Sequence, residues 1–128
     1  MKNKTLIKDL LLIVEDHDAL RESLQKWLST FFPELDFLEA GSGEDALNLV
    51  KEHKPGIVLM DIKLPQMSGI EATRQIKEML PDTNIVILSM YDFIDYKTEA
   101  LAAGASAYVA KNRMYSELVP IIKKFLSS

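Results

Sequence analysis

Residues 10–18 read LLLIVEDHD, in which five apolar residues run directly into the adjacent carboxylates of Glu15 and Asp16. Continuous rather than alternating apolarity in so short a run predicts a parallel strand that is buried on both faces. A chain that needed only a stable core would place neither acid at the end of such a strand. The stretch therefore indicates an α/β fold with chemically active residues at a strand end.

Four further segments have the character of strands in this fold class. Three are short apolar runs at residues 57–60, 85–88 and 107–110, whereas residues 36–40 (DFLEA) are more polar, which suits an edge strand. Between these segments, apolar residues recur at the spacing of one buried helix face. Five strand-then-helix units without a linker predict a doubly wound, five-stranded parallel sheet with five flanking helices.

Helix boundaries are predicted from capping residues. Asp18 and Ser42 are expected to cap the helices that follow them, because their side chains can accept hydrogen bonds from first-turn amides. Residues 92–103 form the weakest predicted helix, since they carry few large apolar residues at helical spacing. Pro120 falls at or just beyond the first turn of the last helix if Ser116 is its cap, which leaves the start of that helix open.

Length and composition restrict the function classes. The 128 residues are 48% hydrophobic and 27% charged, which is typical of one soluble globular domain. The absence of cysteine excludes thiolate metal sites and cysteine nucleophiles, and it favours a cytoplasmic location. No apolar stretch approaches the roughly 18 residues of a membrane-spanning helix, so no membrane partner is expected. The net charge of −4 argues against direct binding of nucleic acid.

Polar side chains follow the predicted strands at their carboxyl ends: Glu15 and Asp16 after the first, Asp61 after the third, Ser89 after the fourth and Lys111 after the fifth. Each alone has an ordinary structural explanation, such as a helix cap or a local hydrogen bond. Parallel strands bring all of them to one edge, where three carboxylates repel unless a cation neutralises them. Oxygen ligands favour Mg²⁺, with Mn²⁺ as an alternative, and one such ion leaves room for a phosphoryl group.

Other motifs give weaker signals. Residues 41–46 (GSGEDA) match a nucleotide-binding pattern, but they follow the polar edge strand, so a helix start at Ser42 is the better interpretation. His17 is interpreted as a flanking polar residue, because the neighbouring ligands are hard oxygens. His53 is expected at an exposed helix end, and no Ser-His-Asp arrangement is proposed.

The stretches IVEDHD, LMDIKLPQMSGIEA, IVILSMYD and AGASAYVAKN together resemble the receiver domain of two-component response regulators. The resemblance covers essentially all of residues 1–128, which are expected to form one receiver domain. It is closest to receivers that precede a helix-turn-helix DNA-binding domain. It implies a flavodoxin-like (CheY-like) fold with strand order 2-1-3-4-5.

The resemblance also implies a role for each acid. Asp61 would accept a phosphoryl group from a sensor histidine kinase or a phosphotransfer protein. Mg²⁺ would be bound by the carboxylates of Asp16 and Asp61, by the backbone carbonyl of Lys63, and by Glu15 largely through water. Phosphoryl transfer needs positioning and charge neutralisation more than proton chemistry, which suits this set of groups.

Three further residues have roles that the resemblance implies. Lys111 would stabilise the transferred phosphoryl group, and the Ser89 hydroxyl would move to hydrogen-bond it while the ring of Tyr108 turns inward. The face formed by the fourth helix, fifth strand and fifth helix would then change its partner binding, including homodimer formation. The expected output is transcription, through an effector domain that is not part of these residues.

Two alternatives remain open on the sequence. A Mg²⁺-dependent phosphatase also uses an aspartyl phosphate, but phosphatases of the haloacid dehalogenase class carry a second Asp two residues after the nucleophile, where this chain has Lys63. We therefore expect a switch rather than an enzyme. A receiver that binds its partners without phosphorylation is disfavoured, because every site position carries a competent residue.

Two local features qualify the resemblance. Asn112 follows Lys111 where many receivers have proline, so a cis peptide bond is not implied there. Residues 90–96 (MYDFIDY) combine several large apolar or aromatic residues with poor helical periodicity. They are interpreted as a partner surface, including one for self-association, against the alternative that scattered exposed aromatic residues are common.

Overall fold

The computed structural model describes residues 5–91 and 93–127, which form alternating strands and helices. The strands are β1 (Ile7–Val14), β2 (Asp36–Ala40), β3 (Pro55–Asp61), β4 (Asn84–Ser89) and β5 (Ala107–Ala110). The helices are α1 (Asp18–Phe31), α2 (Gly43–His53), α3 (Gly69–Met79), α4 (Ile94–Ala102) and α5 (Met114–Leu126). A single 3₁₀ turn, Lys111–Arg113, connects β5 to α5.

The five strands form one parallel sheet in the order β2-β1-β3-β4-β5. The register aligns their carboxyl ends. Val14 of β1 pairs with Ala40 of β2 and with Met60 of β3, and Ser89 of β4 pairs with Ala110 of β5. The predicted sheet and strand order are confirmed, and the residues that follow the strands share one edge.

Two apolar layers enclose the sheet, which explains why β1 is continuously hydrophobic. Leu12 and Val14 face a core that includes buried residues of α2, α3 and α4. Leu11 and Ile13 face the opposite core, which includes buried residues of α1 and α5. Because successive side chains of a strand point to opposite faces, a strand covered on both faces loses the polar alternation of an exposed strand.

The strand bounds differ from the prediction mainly at β1. The observed strand begins at Ile7 rather than at residue 10, and its first three residues are exposed. The β1–β3 register shifts between Ile7 and Leu11, so the strand continues past an irregularity that carries no apolar signal. The segments predicted for β2 and β5 match the observed strands.

The capping predictions were correct for one helix and wrong for another. Ser42 accepts a hydrogen bond from the Asp45 amide and caps α2 as predicted. Asp18 does not cap α1. The cap position is His17, and Asp18 is the first helical residue, where its carboxylate pairs with Arg21. An acid in the first turn still interacts favourably with the helix dipole, which accounts for the same sequence signal.

The last two helices also depart from the expected bounds. The helix predicted at residues 92–103 is observed as α4, Ile94–Ala102, whose one buried residue is Ala100, and Asp92 lies outside the described residues. Helix α5 begins at Met114 rather than after Ser116, so Pro120 lies inside the helix. The preceding 3₁₀ turn supplies the start that a capping signal would otherwise mark.

Two backbone features bear on the sequence expectations. The Lys111–Asn112 peptide bond is trans, because the described residues contain no cis peptide bond. None of the helices in the described part of the chain combines the length and apolarity that a bilayer crossing requires.

Candidate functional site

The carboxyl edge of the sheet places the predicted polar residues on neighbouring strands. Glu15 and Asp16 follow β1 directly, Asp61 and Ser89 are the last residues of β3 and β4, and Lys111 follows β5. Since β1, β3, β4 and β5 are adjacent in that order, these side chains lie along one edge of the sheet. The parallel topology thus assembles residues that are far apart in the sequence.

The Lys111 ammonium group bridges two buried carboxylates. Its Nζ lies 3.1 Å from Glu15 Oε2 and 3.3 Å from Asp61 Oδ2. The side chains are only 5% exposed for Glu15, 10% for Asp61 and 18% for Lys111. Removing the lysine would leave two poorly solvated carboxylates without a counter-charge, which is costly inside a protein.

The two bridged carboxylates do not have the same acidity. Burial and the neighbouring Glu15 raise the pKa of Asp61 to about 6, and Lys111 offsets only part of this effect. For Glu15, burial also acts to raise the pKa, but the His17 amide and Lys111 outweigh it and hold the pKa below its usual range. One ammonium group is therefore too little positive charge for this site.

A group of potential metal donors lies beside this pair. Carboxylate oxygens of Glu15 and Asp16 and a ring nitrogen of His17, the residue that flanks the two acids, lie within 4.8 Å of one another. Glu15 is buried, whereas Asp16 and His17 are exposed. This donor set could hold a metal ion. The surplus negative charge that raises the pKa of Asp61 fits a hard divalent cation.

Ser89 and Tyr108 meet at the backbone of one residue. The buried Ser89 hydroxyl accepts a hydrogen bond of 2.9 Å from the Tyr91 amide. The Tyr108 hydroxyl donates to the Tyr91 carbonyl, and its ring packs partly buried against the core. The segment after β4 is thus attached to both residues that were predicted to switch.

The loop after β3 is closely packed against the end of the strand. A Cβ at Gly69 would lie 1.9 Å from the carbonyl oxygen of Asp61, so only glycine fits there. On the other side, Lys63 Nζ lies 5.4 Å from the ring centroid of Tyr91 and 5.8 Å from that of Tyr96. These distances are within cation–π range, so Lys63 covers the aromatic residues beside the site.

The comparison with protein families decides the class of this chain. A model described as the response regulator receiver domain matches residues 11–123. The chain belongs to the response regulator receiver family. Among similar proteins, the transcriptional regulatory protein DegU of Brevibacillus brevis is 35% identical over 88% of this chain and 48% of its own length. The response regulator GacA of Pseudomonas aeruginosa is 34% identical over 89% and 53%.

A solved structure supports the same assignment. A two-component response regulator of the LuxR family from Aurantimonas sp. SI85-9A1 superimposes with a TM-score of 0.86 at 34% identity, covering 92% of this chain and 84% of that one. This chain spans about half the length of the curated relatives that it matches.

The structure brings some of the residues predicted for the receiver site into direct contact and others only to the same edge. Direct contacts join Lys111 to Glu15 and Asp61. Ser89 occupies the same edge through strand pairing, and Tyr108 is attached to it through Tyr91.

One residue of this edge was not identified from the sequence. Arg21 donates a hydrogen bond of 2.7 Å to the carbonyl oxygen of Glu15 and pairs with Asp18 and Glu39. A basic residue one helical turn after Asp18 is the signal that could have indicated it, but i,i+3 pairs are common on exposed helices. Its contact with Glu39 of β2 depends on the tertiary structure.

Proposed function

We propose that this chain is the phosphorylation-controlled switch of a two-component system. Asp61 accepts a phosphoryl group from the phosphohistidine of a sensor histidine kinase or of a phosphotransfer protein. The observation that carries the proposal is the Lys111 ammonium group held between the buried carboxylates of Glu15 and Asp61 in a receiver. Residues 1–128 act as one receiver domain.

The chemistry requires charge neutralisation above all. An Asp61 carboxylate oxygen attacks phosphorus in line while the bond to the histidine nitrogen breaks, and negative charge spreads over three equatorial oxygens. Lys111 lies where its ammonium group can pair with one of these oxygens instead of with Asp61. Asp61 must be ionised to attack, and its raised pKa opposes this until a cation at the site stabilises the carboxylate.

This acidic edge would hold Mg²⁺, and Mn²⁺ fits the same oxygen ligands. The carboxylates of Asp16 and Asp61 and the backbone carbonyl of Lys63 would bind it directly, with Glu15 acting largely through water. When bound, the ion supplies the positive charge that Lys111 alone does not. The loss of electrostatic repulsion between the acids also lowers the pKa of Asp61, which favours the nucleophilic form.

Phosphorylation would alter the segment after β4. Ser89 cannot both accept the Tyr91 amide hydrogen bond in its present position and turn its hydroxyl towards a phosphoryl group on Asp61. Because the Tyr91 carbonyl accepts from Tyr108, movement of this segment reaches β5 and the neighbouring α4. A local charge change would thereby shift the face formed by α4, β5 and α5 between two states.

The partner face includes exposed apolar residues. Met90, Phe93, Ile94 and Leu101 are 78%, 61%, 73% and 55% exposed, respectively. We assign to this face the binding of a second receiver after phosphorylation. The output is transcription, through an effector region that the additional length of the curated relatives would supply. The protein would act in the cytoplasm. It would not turn over other substrates.

The test is phosphorylation by a small donor. Wild type, Asp61→Asn and Asp36→Asn, an exposed control acid, are incubated with acetyl phosphate and Mg²⁺, and intact masses are measured. Wild type and Asp36→Asn should gain one phosphoryl group, and Asp61→Asn none. An equal gain in Asp61→Asn would contradict the proposal, and steady release of phosphate from many unrelated esters would instead support a phosphatase.

A further inference from the structure

Arg21 of α1 donates hydrogen bonds to three residues in and around the segment that carries the metal-binding acids. Its guanidinium Nη1 donates to the Glu15 carbonyl oxygen at 2.7 Å, Nη2 to Asp18 Oδ1 at 2.7 Å, and Nε to Glu39 Oε1 at 2.9 Å. Only 16% of the Arg21 side chain is exposed, against 82% for Asp18. The guanidinium group is therefore held in place rather than free in solvent.

The peptide unit between Glu15 and Asp16 is fixed by these contacts. The Glu15 amide donates to the Ala40 carbonyl at 3.0 Å, and the Glu15 carbonyl accepts from Arg21. Because a peptide unit is planar, fixing the Glu15 carbonyl also fixes the orientation of the Asp16 amide and the start of its backbone. The Glu39 contact attaches this arrangement to β2.

We propose that Arg21 is a positioning residue for the divalent cation site. Its guanidinium fork attaches the Glu15–Asp16 peptide to α1 and β2, so that the Asp16 carboxylate is held ready for the ion. This inference rests on the proposed function, since it assigns Arg21 to the same cation site. Replacing a residue that hydrogen-bonds to the groups that bind a metal typically lowers metal affinity by about 10- to 100-fold.

Positioning and simple charge have opposite effects on cation affinity. A guanidinium cation near the site repels a divalent ion, so removing its charge alone would tighten cation binding. Removing the hydrogen bonds to the Glu15 carbonyl and Glu39 would release the loop and weaken binding. The direction of the change therefore separates the two roles.

The experiment measures Mg²⁺ and Mn²⁺ affinity by titration calorimetry, together with unfolding by urea. Arg21→Lys keeps the charge but cannot reach three acceptors in a fork, and Arg21→Met keeps the apolar stem without charge or donors. Both should weaken binding of both ions by about tenfold or more. Arg74→Met is the matched control, because Arg74 is exposed and pairs with Glu71 three residues earlier on α3. It should bind as wild type does.

Each outcome decides the inference. Unchanged cation affinity in Arg21→Lys, or tighter cation binding in Arg21→Met, overturns the inference. A loss of stability without a loss of cation affinity shows that the role of Arg21 is structural. Should Arg21→Met fail to fold, the Arg21→Lys affinity decides alone. Wild type that binds neither ion overturns both this inference and the metal part of the proposed function. Normal wild-type binding with unaffected variants overturns only the inference.

Discussion

Lys111 Nζ lies 3.3 Å from Asp61 Oδ2, although the two residues are 50 positions apart in the sequence. Asp61 ends β3 and Lys111 follows β5, and β4 lies between these two strands in the sheet. The pairing crosses the sheet edge and includes Glu15 as a second acceptor at 3.1 Å. The Asp61 carboxylate, the proposed phosphoryl acceptor, is therefore already paired with the Lys111 ammonium group before a phosphodonor binds.

This pairing predicts a large kinetic effect of Lys111→Met. The substitution removes the ammonium group that would neutralise the phosphoryl oxygens, so the rate of mass gain with acetyl phosphate should fall by about 100-fold or more. Lys123→Met, in the last turn of α5, is the control and should react at the wild-type rate. A fall of less than about threefold would show that Lys111 does not stabilise the transfer.

The raised pKa of Asp61 predicts a pH-dependent stability difference for Asp61→Asn in metal-free buffer. The carboxyl titrates near 3.8 when unfolded and at about 6 when folded, so the folded state holds its proton more tightly. As the pH rises through this window, ionisation of the unfolded chain lowers wild-type stability, and the full cost is present above about pH 6. Asp61→Asn avoids this cost.

We expect Asp61→Asn to unfold with a free energy about 1–3 kcal/mol higher than wild type at pH 7.5, and with a much smaller difference near pH 4. Urea denaturation with a chelator present measures both values. Glu22→Gln, an exposed acid of α1, controls for loss of charge and should change stability little at either pH. A variant less stable than wild type at pH 7.5 would refute the expectation.

Gly69 predicts a steric effect on the same strand end. Gly69→Ala would place a Cβ 1.9 Å from the Asp61 carbonyl oxygen, and backbone atoms cannot move aside at low cost. The free energy of unfolding should fall by about 2–4 kcal/mol. At Gly41 the nearest atom to an added Cβ is Arg21 Nη1 at 3.6 Å, an ordinary contact. Gly41→Ala should therefore cost less than about 1 kcal/mol, and equal losses would contradict the prediction.

The exposed apolar face of α4 predicts self-association after phosphorylation. Sedimentation velocity should show a larger species for the phosphorylated wild type, and Ile94→Glu should remain monomeric because a charge would be buried in the interface. Phe31→Ser is the control outside this face, since Phe31 ends α1, is 49% exposed and contacts Trp27. One unchanged monomer in both states of wild type would remove this role.

The fold was largely predictable because β1, β3 and β4 are buried on both faces, which leaves short apolar runs that few other folds produce. The misses have local causes. The exposed start of β1 at Ile7 has no burial signal, and the 3₁₀ turn before α5 replaces a capping residue. Asp18 was predicted to cap α1 but is the first residue of that helix, because an acid is favourable both at a cap and in the first turn.

The site was predictable to the extent that strand order determines it. Glu15, Asp61 and Lys111 each lie at the carboxyl end of a strand, and parallel pairing brings such residues together without further information. Arg21 was not predictable in this way, since its importance arises from Glu39 on a neighbouring strand. Contacts made by a long side chain across elements depend on distances that a linear pattern does not contain.

Every residue of β3 from Pro55 to Asp61 is buried, which holds for no other strand of the described residues, so the proposed acceptor ends the most enclosed of these strands. Amides of such a strand exchange their hydrogens only when the whole domain opens. The phosphoryl group would thus be carried by a fully buried strand, while the change in partner binding occurs in exposed segments such as α4. We expect the phosphoryl group on Asp61 to be lost by hydrolysis alone, without unfolding of β3.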